Sequence, residues 1–166
     1  KGKNVVVVGG GDSAMEESLF LSRLVNKVTI IHRRNNLRAS KIMQERVFKN
    51  KQINFVWDSV IDEILGQDKV TGIKIKNIKT KEITEMPCDG IFVAIGHKPA
   101  TDIFKGQITL NEKGYVVTKN STQTNIAGIF VAGDVQDYKY RQAITAAADG
   151  CKAAMDLEKY IENLEN

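Results

Sequence analysis

The sequence predicts an α/β fold, a right-handed parallel sheet interleaved with helices and joined to an antiparallel β-meander, and three observations carry that reading. Short, wholly apolar runs alternate with segments of helical periodicity in the first third of the chain. After Asp58 the texture changes to apolar–polar alternation. Towards the C-terminus another apolar run ends in Gly-Asp and leads into a long alanine-rich segment. The 166 residues, 42% of them hydrophobic, can bury roughly 70% of the surface of their unfolded chain, enough for one ordinary core or two small ones.

Each element has its own signal. Val5–Val8 is a continuous β-branched run, which reads as a strand buried on both faces. A helix follows, with Ala14, Ser18, Leu21 and Val25 at three- and four-residue steps, flanked by Met15, Leu19 and Ser22. Glu16, Glu17 and Arg23 form its polar face. Val28–Ile31 is the second strand, Lys41–Lys51 a second helix and Ile53–Trp57 a third strand. Beyond Asp58, the segments 60–65, 70–78 and 82–86 alternate apolar with polar and are joined by the turn-rich "GQDK" and "IKTKE", the pattern of a meander with one wet face. "DGIFVAIG" returns to a fully apolar strand. Short strands at Gln107–Leu110 and Tyr115–Val117, a buried strand at Gly128–Ala132 and a long helix from Arg141 to Leu164 complete the reading. Both prolines, Pro87 and Pro99, fall at joints between elements.

Composition excludes several function classes. No apolar run approaches the ~20 residues that span a bilayer, and "KGKN" passes straight into a strand rather than a signal-peptide core, so a cytoplasmic protein without membrane contact is expected. The net charge is +4, yet acids are interleaved almost everywhere except around His32–Lys51, so no nucleic-acid partner is expected. Cys88 and Cys151 lie far apart and form no CxxC, which reads as two buried free thiols and no metal site.

Gly9, Gly11 and Ala14 form a G-x-G-x-x-A between an apolar strand and a helix. In a dinucleotide-binding, Rossmann-like unit the first glycine allows the tight turn and the second admits a pyrophosphate to the backbone. The alanine lets helix and strand approach. The helix N-terminus then favours an anion, with Asp12 or Ser13 available to cap its first turn. A tight loop with no ligand is the other reading of "GGGDS". The second strand ends in His32, Arg33 and Arg34, where an acid would suit the ribose hydroxyls of NAD. Two guanidiniums suit a 2′-phosphate instead, and Arg38 could join them, which makes NADPH the expected ligand. His32 has two readings, stacking on adenine or packing as a structural histidine.

"IAGIFVAGDV" followed by "YRQAITAAADG" is a second candidate site. Gly133 gives clearance, Asp134 can accept hydrogen bonds from sugar-like hydroxyls, and the amides of Arg141, Gln142 and Ala143 can face an electron-rich ring edge. The competing reading is a strand-turn-helix that closes a core with Ile144, Ala148, Cys151, Met155 and Ile161.

Taken together, "GGGDSAMEE", "HRRNNLRAS", "FVAIGHKPAT", "GIFVAGDV" and "YRQAITAAADGCKAAMDLEKYI" resemble the bacterial-type, low-molecular-weight thioredoxin reductases over essentially the whole chain. The resemblance implies an NADPH-binding domain over residues 1–99, followed at 100–166 by the C-terminal segment of an FAD-binding domain. It assigns Gly9, Gly11, Asp12, Ser13, Ala14, His32, Arg33, Arg34 and Arg38 to NADPH, and Glu16 and Ile95 to the nicotinamide side. Gly133, Asp134, Arg141, Gln142 and Ala143 are assigned to FAD. It also implies thioredoxin as partner and a homodimer.

The departures are equally specific. The family carries a second glycine fingerprint and a redox CxxC ahead of the strand that begins here at Asn4, and these 166 residues contain neither. The expectation is a fragment that binds NADPH, holds a partial FAD site and is inactive alone. A piece of a thioredoxin-reductase-like ferredoxin-NADP reductase, of a peroxidase-reducing flavoprotein, or a non-catalytic NADPH-binding module are the alternatives. "HRRNNLRAS" also replaces the family's Asp-Gly-like turn by Asn35-Asn36, which can turn because Asn tolerates αL. Strands beyond Ala100 would lack partners, so exposed edges and apolar patches are expected there.

Overall fold

The computed structural model describes residues 2–165 and divides the chain between Gly96 and His97 into two compact units. The division falls slightly ahead of the boundary expected after residue 99.

The first unit contains β1 (Asn4–Val8), α1 (Asp12–Leu21), β2 (Lys27–Ile31), α2 (Lys41–Lys49), β3 (Ile53–Val56), β4 (Ser59–Leu65), β5 (Gly72–Asn77), β6 (Ile83–Pro87) and β7 (Gly90–Val93). A four-stranded parallel sheet has the order β3-β2-β1-β7, and a separate antiparallel sheet has the order β4-β5-β6. The central strand sends alternate side chains to opposite faces, as strand geometry requires. Val5 and Val7 join Ala14, Met15 and Leu21 of α1 and Val47 of α2 in one core. Val6 joins Ile31, Ile73, Ile75 and Cys88 in the other, so β5 of the meander covers the sheet face that the helices leave open. The apolar run Val5–Val8 of β1 is thereby explained by packing on both faces.

Helix ends differ from the periodicity. α1 stops at Leu21 rather than Val25, because Arg23 and Leu24 donate to the carbonyls three residues back and tighten the last turn. Ser18 is fully buried within α1 and returns its hydroxyl to the Ala14 carbonyl at 2.7 Å, which satisfies it locally. The turn after β2 is made without left-handed residues, so the expected αL asparagine at 35 or 36 is corrected.

The second unit departs further from expectation. The segments 107–110, 115–117 and 128–132 are not strands. They meet only through the single bridges Leu110↔Val116 and Gln123↔Phe130, beside a third at Lys119↔Gln123. Gly128 adopts φ +80°, incompatible with a strand, and 128–132 is exposed or half-buried rather than buried. The residues buried in this unit are chiefly threonines, Thr101, Thr122 and Thr124, with Tyr115 and Val116. α3 (Ala143–Glu165) has no buried residue. Ile144 is 78% exposed, and Met155, Ile161 and Leu164 are also exposed, which overturns the reading in which α3 closes a core. Cys151 on α3 is exposed, against the expectation of two buried thiols; Cys88 is buried, and both are free. Contacts hold α3 at intervals: Gln136 to Asp149, Thr122 to Asp156, and Phe130 edge-on to Tyr160.

Candidate functional site

The C-terminal ends of β1, β2 and β7 converge on the glycine loop. The Gly9 amide donates to the Ile31 carbonyl at 3.1 Å, and the Ala94 amide donates to the Val8 carbonyl at 2.8 Å. A methyl group at Gly9 would overlap the Ala94 carbonyl oxygen and lie 2.8 Å from the Ala14 methyl, so both residues are set by the closeness of strand and helix. Ala14 is wholly buried. Gly11 differs, since a methyl there would meet nothing within 4 Å. The space in front of it is open to a ligand.

α1 begins at Asp12 with no side-chain cap, a correction to the expectation that Asp12 or Ser13 caps it. The Asp12 carboxylate instead accepts from the amide and hydroxyl of Ser40, at 2.8 and 2.9 Å, at the start of α2. The amides of Arg38 and Ala39 donate to the Gly10 carbonyl at 2.7 and 3.0 Å. These bonds stitch the segment before α2 onto the glycine loop. Leu37 and Ala39 are buried and Arg38 between them points outward, so the stitching delivers a guanidinium to the loop.

Gly9, His32, Arg33, Arg38 and Ile95, all anticipated from the sequence, line one cleft of about 460 Å³ together with Gly10. Arg34 is exposed outside that lining, with its carbonyl receiving the Asp58 amide at 3.4 Å. Ser13 and Glu16 are exposed on α1, outside the lining as well. Among the described residues none of Arg33, Arg34 and Arg38 is in an ion pair, and the cluster is left positive. The apolar wall from β4 and β7, Ile61, Ile64 and Val93, was missed from the sequence. Its signal was present as the dry positions of the first meander strand.

Of the two readings of His32, the structure shows the packed one. The ring is buried, 6.5 Å from Trp57 in an edge-on arrangement, and lies against Gly10. Burial, then the nearby Arg38, Arg34 and Arg33 charges, push its pKa down against a raising hydrogen bond with the Asn36 backbone. It is therefore neutral at pH 7, and its Nε2 is buried without a partner among the described residues.

In the second unit Gly133 has φ +75° and opens a short 3₁₀ turn over residues 133–135, with Asp134 exposed on it. A methyl at Gly133 would lie 3.4 Å from the Ala146 methyl, so the turn rests on the start of α3. The Asp137 carboxylate accepts the amides of Lys139, Tyr140 and Arg141, each at 2.9 Å, and the Thr145 hydroxyl at 3.3 Å. Those bonds, the Tyr140 amide first, hold the Asp137 carboxyl below the usual carboxylate range. The clamp fixes Arg141 at φ +50°, and its Nη1 reaches His97 Nδ1 at 2.7 Å. Arg141, Gln142 and Ala143 are thus gathered at the α3 N-terminus beside the Gly133 turn. Asp137 and Thr145 were missed; an Asx-type turn in "DYKYRQAIT" was the available signal.

A cleft lined by a glycine loop and two guanidiniums, and facing an uncapped helix, is suited to the phosphates of a nucleotide. Comparison with known families decides the group, because residues 1–150 match the model described as pyridine nucleotide-disulphide oxidoreductase. The chain belongs to the pyridine nucleotide-disulphide oxidoreductase family. Within this family it is 54% identical over 165 residues to the thioredoxin reductase of Rickettsia prowazekii, covering 97% of this chain and 53% of that protein. It is 53% identical to the thioredoxin reductase of Streptomyces coelicolor over 167 residues, 100% of this chain and 52% of that one. Among solved oxidoreductases, the thioredoxin reductase from Streptococcus pyogenes superposes with a TM-score of 0.83 at 41% identity, covering 98% of this chain and 54% of that one. The Lactococcus lactis thioredoxin reductase gives 0.70 at 43%, with the same coverage. The chain spans about half the length of the curated relatives it matches.

Proposed function

We propose that the first unit binds NADPH and that the chain serves an NADPH-dependent FAD flavoprotein that reduces the disulfide of thioredoxin. The observation that carries this reading is the meeting of Gly9, Arg33 and Arg38 in one cleft with no acid partner for the arginines among the described residues. The proposed roles follow from position. Amides at the start of α1, through Gly11, Asp12 and Ser13, take the pyrophosphate. Arg33 and Arg38, with Arg34 beside them, take the 2′-phosphate. The aliphatic wall ending at Ile95, with Glu16 on α1, faces the nicotinamide half.

For FAD the second unit offers Gly133, Asp134, Arg141, Gln142 and Ala143, and the Asp137 clamp that orders them fits a partial site. The chemistry drawn from the bound cofactors is hydride donation by NADPH and two-electron transfer through FAD. Reduction of a disulfide also needs a dithiol, and these 166 residues hold no CxxC. The chain alone is therefore proposed to bind nucleotide without turnover. Thioredoxin as partner, a homodimer and a cytoplasmic setting belong to the same proposal; the relatives' names, the exposed apolar residues of α3 and the two free thiols support them in turn. No helix among the described residues is long and apolar enough to cross a membrane.

Calorimetric titration with NADPH and NADH tests the reading. If each of two arginines contributes about 1.5–3 kcal/mol to the phosphate, NADPH binds on the order of 10² to 10⁴ more tightly. Equal affinities would exclude recognition of the 2′-phosphate by this cluster.

A further inference from the structure

The middle residue of the glycine loop lines the cleft but meets a side chain of the protein itself. Gly9 is required by the Ala94 carbonyl and Ala14, and Gly11 faces open space, but Gly10 has no left-handed backbone, and the atoms nearest to a methyl there are all those of one side chain. What it meets is the imidazole of His32. A methyl at position 10 would fall inside that ring's contact shell, 2.5 Å from Nδ1 and 2.6 Å from Nε2. The ring cannot readily swing away. It is 94% buried by complement of its 6% exposure, and Trp57 stands edge-on to it, itself stacked on Phe55 at 4.9 Å, which packs against Phe48 at 5.0 Å. The His32 backbone is also pinned, since its amide donates to Val56 and its carbonyl accepts from Ser59.

We infer that His32 is a positioning residue, an imidazole floor that sets the height of the Gly9–Gly11 loop, and that glycine at position 10 is demanded by His32 rather than by the nucleotide. The Gly10 carbonyl is the acceptor for the Arg38 and Ala39 amides, so the height of Gly10 also sets where Arg38 stands. One floor thereby aligns the pyrophosphate amides and a 2′-phosphate guanidinium. The burial that lowers the His32 pKa keeps a fourth positive charge out of the floor at neutral pH. This inference rests on the NADPH reading for its binding assay and on the loop geometry for its other readout.

The test compares the parent chain, Gly10→Ala, His32→Ala and the double variant. NADPH binding is titrated by calorimetry, and the emission of Trp57, the only tryptophan and edge-on to His32, reports how the ring beside it is packed. Gly10→Ala is expected to weaken NADPH on the order of tenfold to a hundredfold, the range that overpacking produces. The double variant should recover to about the affinity of His32→Ala alone, while His32→Ala itself should bind more weakly than the parent and exchange its Gly9–Gly11 amides faster. A double variant as weak as Gly10→Ala, or a Gly10→Ala that binds like the parent, would overturn the inference. If Gly10→Ala does not fold, a folded double variant supports the steric pairing. Loop exchange unchanged in His32→Ala overturns it. Should the parent bind no NADPH, the nucleotide reading fails, and the exchange and thermal midpoints of the four proteins still decide the pairing.

Discussion

At the scale of single residues, the arginines divide the work of charge by location. Arg33 and Arg38 line the cleft, whereas Arg34 stands outside it, so replacing them should have unequal effects. Arg33→Ala and Arg38→Ala are each expected to cut the NADPH-over-NADH ratio by roughly 10- to 100-fold, from the loss of one charge-assisted contact, with NADH affinity little changed. Arg34→Ala should alter the ratio less. Parallel titrations of the three variants with both nucleotides check this ranking. That arginines follow β2 was legible in the sequence, and the phosphate they suit remains part of the proposed function. Which arginine turns into the cleft was not, since that depends on the Arg38 and Ala39 amides reaching the Gly10 carbonyl.

At the scale of elements, the start of α3 depends on one carboxylate. Asp137 gathers three successive amides and a hydroxyl, and its charged form is the better acceptor. Its carboxyl is lowered in the folded state, so its contribution is complete above the ordinary carboxylate range near pH ~4 and is lost as pH falls through the lowered value. Asp137→Asn should lower the protection of the Lys139, Tyr140 and Arg141 amides relative to their intrinsic exchange at the same pH, as should acidification of the parent through the lowered value, while the protection of the α1 amides is unchanged. Exchange mapped by NMR at two pH values reads both. The strands around the cleft were legible because each finds its partners within the first unit, β1 pairing with β2 nearby in sequence and with the distant β7, and because the β-branched run of β1 states double-sided burial. The segment 128–132 was misread for the converse reason. An apolar run such as "IFVA" reports that it is fit for burial, and says nothing of whether a ladder of backbone partners is supplied by the same chain. α3 was placed correctly along the sequence, yet its apolar face gave no sign that it would lie open.

At the scale of the whole molecule, the two units are built on different resources. The first has two core clusters and two complete hydrogen-bonded sheets within residues 2–96. The second relies on buried threonine hydroxyls, isolated bridges and a helix with no buried residue. Residues 2–96 alone should melt cooperatively by circular dichroism. A non-cooperative melt of the shorter chain would contradict this account.

The bond from Ser40 to Asp12 has a kinetic meaning as well. The acid at the start of α1 accepts from Ser40 rather than from the amides of its own first turn, which leaves those amides without a side-chain cap. In the proposed function an arriving phosphate would have no side-chain cap to unmake. Under that proposal entry would be governed by diffusion under the pull of the arginines, a barrier set by the ionic atmosphere rather than by the unmaking of a cap.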